Sequence, residues 1–557
     1  MRIRPVFAAL LLGFAPGIRP LLADTPAAIA WPKFPVPSEV LTQPEETQYP
    51  SRVLQQTAAG LFANRARRSA APGPYVFIDQ PRRASDATWL KSWRERTQVP
   101  VRALEGGVWA LVKELQARRL VAGYVLYKAP EWGNPYSTRP PSNLSANLAT
   151  SLCGPLGAVA INENQQAQAD ALGLKMLADA RALTYDALFK DYGAKLSPNL
   201  VASLDPRSPT ARDMAVACDA PVVINCPGGG LPEVLRRARP GGFMFGWGLE
   251  GEDQCVRDAS RAGLEVVAAN WSYNLPLFAS ARGEIQPQQA TPRPPLLSGD
   301  KPGTRYVAFI ESDGDNVTWT MSDFSTARKY FAHPARGSMP YGWSLPVSNL
   351  AELGPDVWNH LVKAATPNDD YVHIGLTGYG FLDDTPPADI TRQATLLNPY
   401  LQRANVHSMI AFTDKQWDSP ASKAAFQNIV DHCPAVRCIM PLQYMPYAAG
   451  AGRLLWCNRD GKRIPVLPPR TDLWDDNQGD LAGPPDRIAK VLNRWAQGPV
   501  NSLEDTYAWV IVHAWTDFGN NTAGVGAAKA CAAALDPNIR VVKPAELVDR
   551  LYRAANP

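Results

Sequence analysis

From about residue 52 onward, short apolar runs alternate with longer stretches whose apolar positions recur at three- and four-residue intervals. Runs at 75–79, 121–127, 157–161, 221–224, 243–247 and 264–268 read as strands, and 89–96, 108–118 and 167–182 as helices. The Pro-rich stretch 24–50 reads as a surface wrap. The same rhythm resumes after residue 304. Strands are expected at 305–311, 371–374, 408–412, 438–441, 507–513 and 539–542, with helices at 357–364, 419–431, 485–496 and 524–535. Strand–helix alternation of this kind predicts α/β layers with mainly parallel strands. Between the two halves lies 286–303, with four prolines in its first ten residues, the composition of a linker. The expected fold class is therefore α/β: an N-terminal α/β region over 24–285, in one or more domains, then a C-terminal (β/α) barrel-like domain over 304–557. About 250 residues is the usual size of such a barrel. An open doubly wound sheet competes with it, and alternation alone does not choose between the two.

Composition narrows the class. With 557 residues, 46% of them hydrophobic and 19% charged, the chain has apolar matter for several cores, which sets disorder aside. A net charge of +4 with no long basic run argues against a nucleic-acid partner. At the N-terminus, Arg2 and Arg4 precede an apolar run from Val6 to Ala15 and small residues near Ala23, the layout of a secretory signal over 1–23. No other stretch approaches the roughly 18–20 apolar residues of a membrane span. The mature protein is expected to be soluble and exported, secreted or periplasmic, beginning near Asp24. An exported form that retains residues 1–23 by intact mass would overturn that expectation. Eight cysteines in an exported chain permit up to four disulfides, and the near pairs Cys218/Cys226 and Cys433/Cys438 are the first candidates.

The sharpest chemical cluster is Glu311-Ser312-Asp313-Gly314-Asp315-Asn316, directly after an expected strand. Strand C-terminal ends are where a barrel presents residues to substrate. Gly314 is expected to turn the backbone so that both aspartates enter one cleft. Close carboxylates repel, so one is pushed toward its protonated form and the pair can divide acid and base roles. Two other readings stand beside this one: an Asp/Gly turn capping its own backbone, and half a calcium loop without its remaining acids. Three further strand ends carry polar or aromatic groups: the glycine-rich stretch from Gly375 to Asp384, Asp414 to Asp418, and His513-Ala514-Trp515-Thr516-Asp517. No metal site is expected, because the six histidines form no HxxxH or HExxH and no CxxC occurs. The serine-hydrolase elbow Gly-x-Ser-x-Gly is also absent.

In order along the chain, Gly60-Leu-Phe-Ala-Asn64-Arg65, Gly123-Tyr-Val-Leu-Tyr127, Asn147-Leu-Ala-Thr150, Phe245-Gly-Trp247, Ala269-Asn-Trp271-Ser-Tyr-Asn274, Ser312-Asp-Gly-Asp-Asn316 and His513-Ala-Trp515 resemble motifs of the GxGYxYP glycoside hydrolases, exported bacterial proteins. The namesake motif departs: both glycines, Gly378 and Gly380, stand, but its tyrosines and proline are replaced by Phe381, Asp383 and Asp384. The resemblance implies glycan cleavage in the C-terminal domain, a carbohydrate substrate as partner, and no cofactor. That chemistry needs two carboxyl groups flanking the bond. Asp313 and Asp315 lead, with Asp414 or Asp383 as partner across the cleft. Asn316 and His513 are expected on sugar hydroxyls, and Phe381, Trp343, Trp417 and Trp515 as stacking faces. Asp383 and Asp384 would add carboxylates to the cleft. A non-catalytic carbohydrate-binding protein, or a metal-dependent polysaccharide deacetylase, would use the same scaffold.

Overall fold

The structure, a computed structural model, describes residues 31–130, 141–247, 251–280, 283–290, 303–475, 479–519 and 522–557. The signal read over 1–23 and most of the linker lie outside them. Four sheets carry the strands. The first joins β1 (Glu39–Pro44), β2 (Pro74–Asp79) and β3 (Val101–Ala103), with β1 in the centre. The second joins β4 (Gly123–Tyr127), β5 (Ala158–Asn162) and β6 (Met176–Asp179). The third joins β7 (Leu200–Ser203), β8 (Val222–Val223), β9 (Phe243–Phe245) and β10 (Glu265–Val267). All ladders in these three are parallel.

Two sequence expectations change here. The stretch read as a wrap contains β1, which pairs on both edges and buries Val40, Leu41 and Gln43 despite the flanking prolines. The helix expected over 167–182 stops at Ala171. Gly173, at φ 76°, turns the chain into β6.

The helix Tyr49–Ser69 runs through the N-terminal half, buried over most of its length. Gly60 explains how. A Cβ there would lie 2.5 Å from the carbonyl oxygen of Asp213, so only glycine lets the helix Arg212–Ala217 cross so closely. Asn64 then donates to the carbonyls of that second helix, at 3.0 Å to Val216. Asn147 and Asn274 are similar joints. Asn147 donates to Leu204 O at 2.8 Å, and Asn274 both accepts from and donates to the backbone of Ile78. These motif residues hold layers together.

The large sheet comprises β11 (Arg305–Glu311), β12 (Tyr341–Leu345), β13 (Asp369–Ile374), β14 (Ser408–Thr413), β15 (Cys438–Gln443), β16 (Leu455–Arg459), β17 (Lys462–Val466), β18 (Thr471–Leu473), β19 (Tyr507–Val512) and β20 (Ile539–Val541). Its order is β16-β17-β15-β14-β13-β12-β11-β19-β18, with β20 beside β11. Successive strands thus follow one another and β19 returns to β11, but among the described residues no ladder joins β17 to β18. The closed barrel expected from size is realised as a curled half-barrel sheet. The reason is local. β17 touches β15 through one residue pair, Ile439 with Val466, and then turns into an antiparallel hairpin with β16 instead of a closing parallel strand.

Gln286 and Gln288, at the start of the linker, are docked on the large domain. Gln288 accepts from Tyr371 N at 2.9 Å and donates to Tyr371 O at 3.2 Å, while Trp358 donates to Gln286 O. No disulfide joins any of the eight cysteines, of which Cys226 alone is not fully buried, so the disulfides expected from the count are absent. Cys433 caps a helix and Cys438 begins β15, each packed in its own apolar surroundings; burial pushes both thiols up to about 12. Thiol titration of the unfolded, unreduced protein is expected to return eight; six or fewer would contradict these free sulfurs. Among the described residues no helix is long and apolar enough to cross a membrane.

Candidate active site

β11 ends at Glu311, flanked by β12 and β19 in parallel register, and the next residues form the turn that carries the two aspartates. The left-handed residue of that turn is Asp313, at φ 61°, and not Gly314. An aspartate tolerates this region better than most residues. Gly314 serves another need: a Cβ there would sit 1.8 Å from the carbonyl oxygen of Ser344 on β12. Its N–H donates to Ser344 Oγ at 3.2 Å. The turn is therefore pressed onto the neighbouring strand, and this fixes where both carboxyls emerge.

Asp313, Asp315 and Glu252 meet in one cleft, walled by Ser312, Tyr379, Phe412, Leu442 and Tyr447. The cleft measures about 20 Å³, room for one water and not for a sugar ring. Asp313 accepts from Trp515 Nε1 at 3.0 Å and from Ser312 Oγ, which itself accepts from Ala514 N at 3.1 Å. Trp515 is 43% exposed and leans on Trp319 with ring centroids 5.0 Å apart, so an aromatic face stands open beside Asp313. Burial, then the charges of Asp313 and Glu252, push Asp315 well above the usual carboxylate range. Burial, then Asp313 and Asp253, push Glu252 up to about 7.

Two more acids surround the cluster. Glu311 is buried and accepts from Tyr341 OH at 2.5 Å; burial pushes it up to about 8. It binds a tyrosine hydroxyl, not the arginine that a strand-end acid often finds. Asp472, inside β18, is fully buried with neither carboxyl oxygen hydrogen-bonded. Burial and then Asp313 push it well above its usual range.

Of the residues expected at the site, Asp313, Asp315, Trp515 and His513 gather at these strand ends. His513 stacks on Trp474 at 4.0 Å, near the ring of Tyr447. Asn316 caps the short helix Val317–Thr320, accepting from Trp319 N at 3.0 Å. The others are engaged elsewhere. Asp414 is held by Arg257, which donates to it at 2.8 and 2.7 Å, and this hydrogen bonding lowers its pKa. Asp383 accepts from the backbone N–H groups of Asp414 and Lys415, at 2.7 and 3.2 Å. Asp384 pairs with Arg261, so neither aspartate of the altered motif adds a carboxylate to the cleft. Trp343 is fully buried and donates to Asp369 at 2.9 Å, so it offers no stacking face. Trp417 is 2% exposed beneath Arg453, and Phe381 is buried between Tyr379 and Tyr444.

The motif glycines have a clear task. Tyr379 exchanges both backbone hydrogen bonds with Val266 on β10, and a Cβ on Gly378 would lie 2.6 Å from Val266 O. This contact joins the third sheet to the large one and brings Tyr379 into the cleft. Glu252, Asp472, Tyr379 and Tyr447 were not foreseen from sequence.

A much larger cavity, about 1210 Å³, lies over the C-terminal ends of β4, β6 and β8. Of the acids that line it, Asp186, Glu233 and Asp258, Glu233 is tied to Arg236 and Arg237.

Parallel strands whose C-terminal edge gathers an acid cluster define an α/β protein with a carboxyl-lined cleft. The sequence model described as "GxGYxYP putative glycoside hydrolase C-terminal domain" matches residues 303–552, and that described as "GxGYxYP third domain" matches 231–280. Together they take in more than half of the chain, which belongs to the GxGYxYP family. The cleft draws Glu252 from one matched segment and Asp313 and Asp315 from the other. The fold is similar to that of "a putative hydrolase from Bacteroides thetaiotaomicron VPI-5482", with a TM-score of 0.78 at 22% identity over 94% of this chain and 96% of that one. No curated protein matches the chain.

Proposed function

We propose that this protein is an exported hydrolase of glycosidic bonds in a poly- or oligosaccharide, and that Asp313 leads the chemistry. The observation that carries the reading is the convergence of Asp313, Asp315 and Glu252 on one cleft beside the exposed face of Trp515. Glycosidic cleavage needs one carboxylate to stabilise or attack the anomeric centre, or to activate water, and one carboxylic acid to protonate the leaving oxygen. A cluster in which burial keeps some members protonated beside Asp313 supplies both kinds. Because the cleft holds only a water, the sugar would meet the cluster at its mouth, stacked on Trp515. Export rests on the N-terminal pattern of Arg2, Arg4 and the apolar run.

The test is a glycan panel assayed for new reducing ends with the wild-type protein. Release from one glycan class is expected, and none from any class would sink the proposal. The cleft's small volume and the altered namesake motif favour one second reading, a non-catalytic carbohydrate-binding protein. It is distinguished by binding a panel glycan without cleaving it.

A further inference from the structure

The helix Glu252–Arg261 lies outside the large sheet yet sends its first residue into the cleft. Its outer turns are gripped by an ionic lattice. Arg257 holds Asp414 with two hydrogen bonds, Asp253 at 3.2 Å and Asp384 at 3.9 Å. Arg261 binds Asp384 at 2.9 Å. Asp383 fixes the loop of Asp414 through two backbone N–H groups. The acids of the lattice that lie outside the helix, Asp383, Asp384 and Asp414, stand on the large sheet's strand-end loops, and two of them, Asp383 and Asp384, occupy the altered positions of the namesake motif. The lattice therefore clamps the helix to the sheet directly behind the residue that enters the cleft.

Asp313 and Asp315 share one turn, two residues apart, and so approach a substrate from one side. Two groups that flank a glycosidic bond must come from two sides. Glu252 enters the cleft from a separate element, the first turn of the helix Glu252–Arg261. We propose that Glu252 is the catalytic acid of this site, and that Arg257 and Arg261, held by Asp384 and Asp414, are its positioning residues.

This rests on the hydrolase reading and deepens it. In the step, the Glu252 carboxyl proton passes to the glycosidic oxygen as the C–O bond breaks, and that oxygen keeps the bonding pair. One water supplies the hydroxyl that ends on the anomeric carbon. Its displaced proton is taken by Asp313 in direct attack, or by Glu252 if a covalent Asp313 ester forms first. Either route adds one water; the covalent route returns both carboxyls to their starting states, and after direct attack Asp313 gives its proton to solvent and Glu252 takes one back. Asp313, Asp315, Asp253, Tyr379, Tyr444 and Tyr447 are the titratable groups that bear on Glu252.

The test uses paired aryl glycosides of the sugar that the panel identifies, phenyl and 2,4-dinitrophenyl. Dinitrophenolate leaves without a proton, so loss of the acid spares it. Glu252→Gln is expected to cut kcat/KM for the phenyl glycoside by about 100-fold or more, and for the dinitrophenyl glycoside by less than about tenfold, since kcat/KM reports only the steps through C–O cleavage. Equal losses on the two, or none, would overturn the assignment. Arg257→Met is expected to move the alkaline limb of the kcat/KM pH profile, with Arg257→Lys restoring much of it. A destabilised Arg257→Met protein with an unmoved limb would remove the positioning role. Asp313→Asn separates the two readings. If it cleaves both glycosides normally, the hydrolase reading at this cluster fails, whatever Glu252 does. A wild type inert on both series overturns the two together.

Discussion

Asp313→Asn is expected to lower glycan turnover by between about 100- and 10,000-fold while leaving glycan binding intact. The substitution is close to isosteric, and asparagine tolerates the left-handed backbone found at φ 61°. The amide oxygen can still accept from Trp515 Nε1, so the turn and the aromatic face beside it should survive. What disappears is the carboxylate itself, which can then neither attack an anomeric carbon nor take a proton from water. Reducing-end release and calorimetric glycan binding, measured on the same preparation, check both halves. Undiminished turnover would move the chemistry away from this strand end. Loss of binding along with turnover would instead mean that Asp313 serves mainly to hold the sugar.

The strand-end rule made part of this site legible. An apolar strand followed by Asp-Gly-Asp pointed to a turn at a strand end, and that turn stands at the C-terminus of β11, because a continuous apolar run and the break after it are local signals. The partners were not legible. Asp414 looked available because Arg257, which claims it, lies 157 residues earlier in the chain. Glu252 reaches the cleft only because β10 docks on the namesake motif at Tyr379, a long-range contact with no local signature. Trp343 failed as a stacking face for a related reason. Its strand, β12, is too short to stand out, and its indole N–H points at a buried aspartate whose own partner is Arg336. Gly314 was read as a conformational glycine, whereas its need is the close approach of Ser344, visible only once two strands are adjacent. At the level of the fold, alternation gave the parallel layers. The open seam depended on three short strands after residue 454, which carry little periodicity.

The motif departures also look different with the lattice in place. A tyrosine-to-aspartate change in a substrate cleft would alter proton supply. The same change on the back of the cleft adds anions to a pair of arginines, and its effect is mechanical. Arg257 and Asp414 are largely shielded, with side chains 17% and 5% exposed, so stranding one partner costs more than at a surface pair. The altered motif is thus compatible with an intact acid cluster.

Stability is expected to fall as the pH rises from about 5 to 8, opposite to what ordinary ion-paired carboxylates produce. The cause is the number of buried acids held above their usual range. Burial is the leading cause at each, pushing Asp86 and Asp370 up to about 6, Asp213 and Glu252 to about 7, and Glu265 and Glu311 to about 8. Asp315 and Asp472 lie well above the range. A group whose folded pKa is raised binds more protons in the folded state. Its stabilising share is therefore complete below the unfolded value, near 4, and is lost as pH climbs through the folded value. For Glu252 the shift from 4.5 to about 7 corresponds to about 3 kcal/mol, before any relaxation or water entry is allowed for. Asp414, Glu114, Asp179, Glu233 and Asp505, all with lowered pKa, act in the opposite sense, but their share is lost only as the pH falls below this window; within it the lowered His360, His373 and His407 oppose the trend and are outnumbered by the raised acids. In a chain of this length the combined loss should lower the thermal midpoint by on the order of 5 °C between pH 5 and pH 8. Calorimetry across that range checks the trend, and a midpoint that is flat or rising would contradict it. Glu252→Gln isolates one contribution. Glutamine carries no charge at any pH, so the variant should match the wild type at pH 5, where Glu252 is protonated, and exceed it at pH 8, where the wild type must hold a buried anion beside Asp313. A site that melts more readily when its acid is ionised is one whose stability has been set aside for chemistry, and a Glu252→Gln protein no more stable than wild type at pH 8 would remove that trade-off.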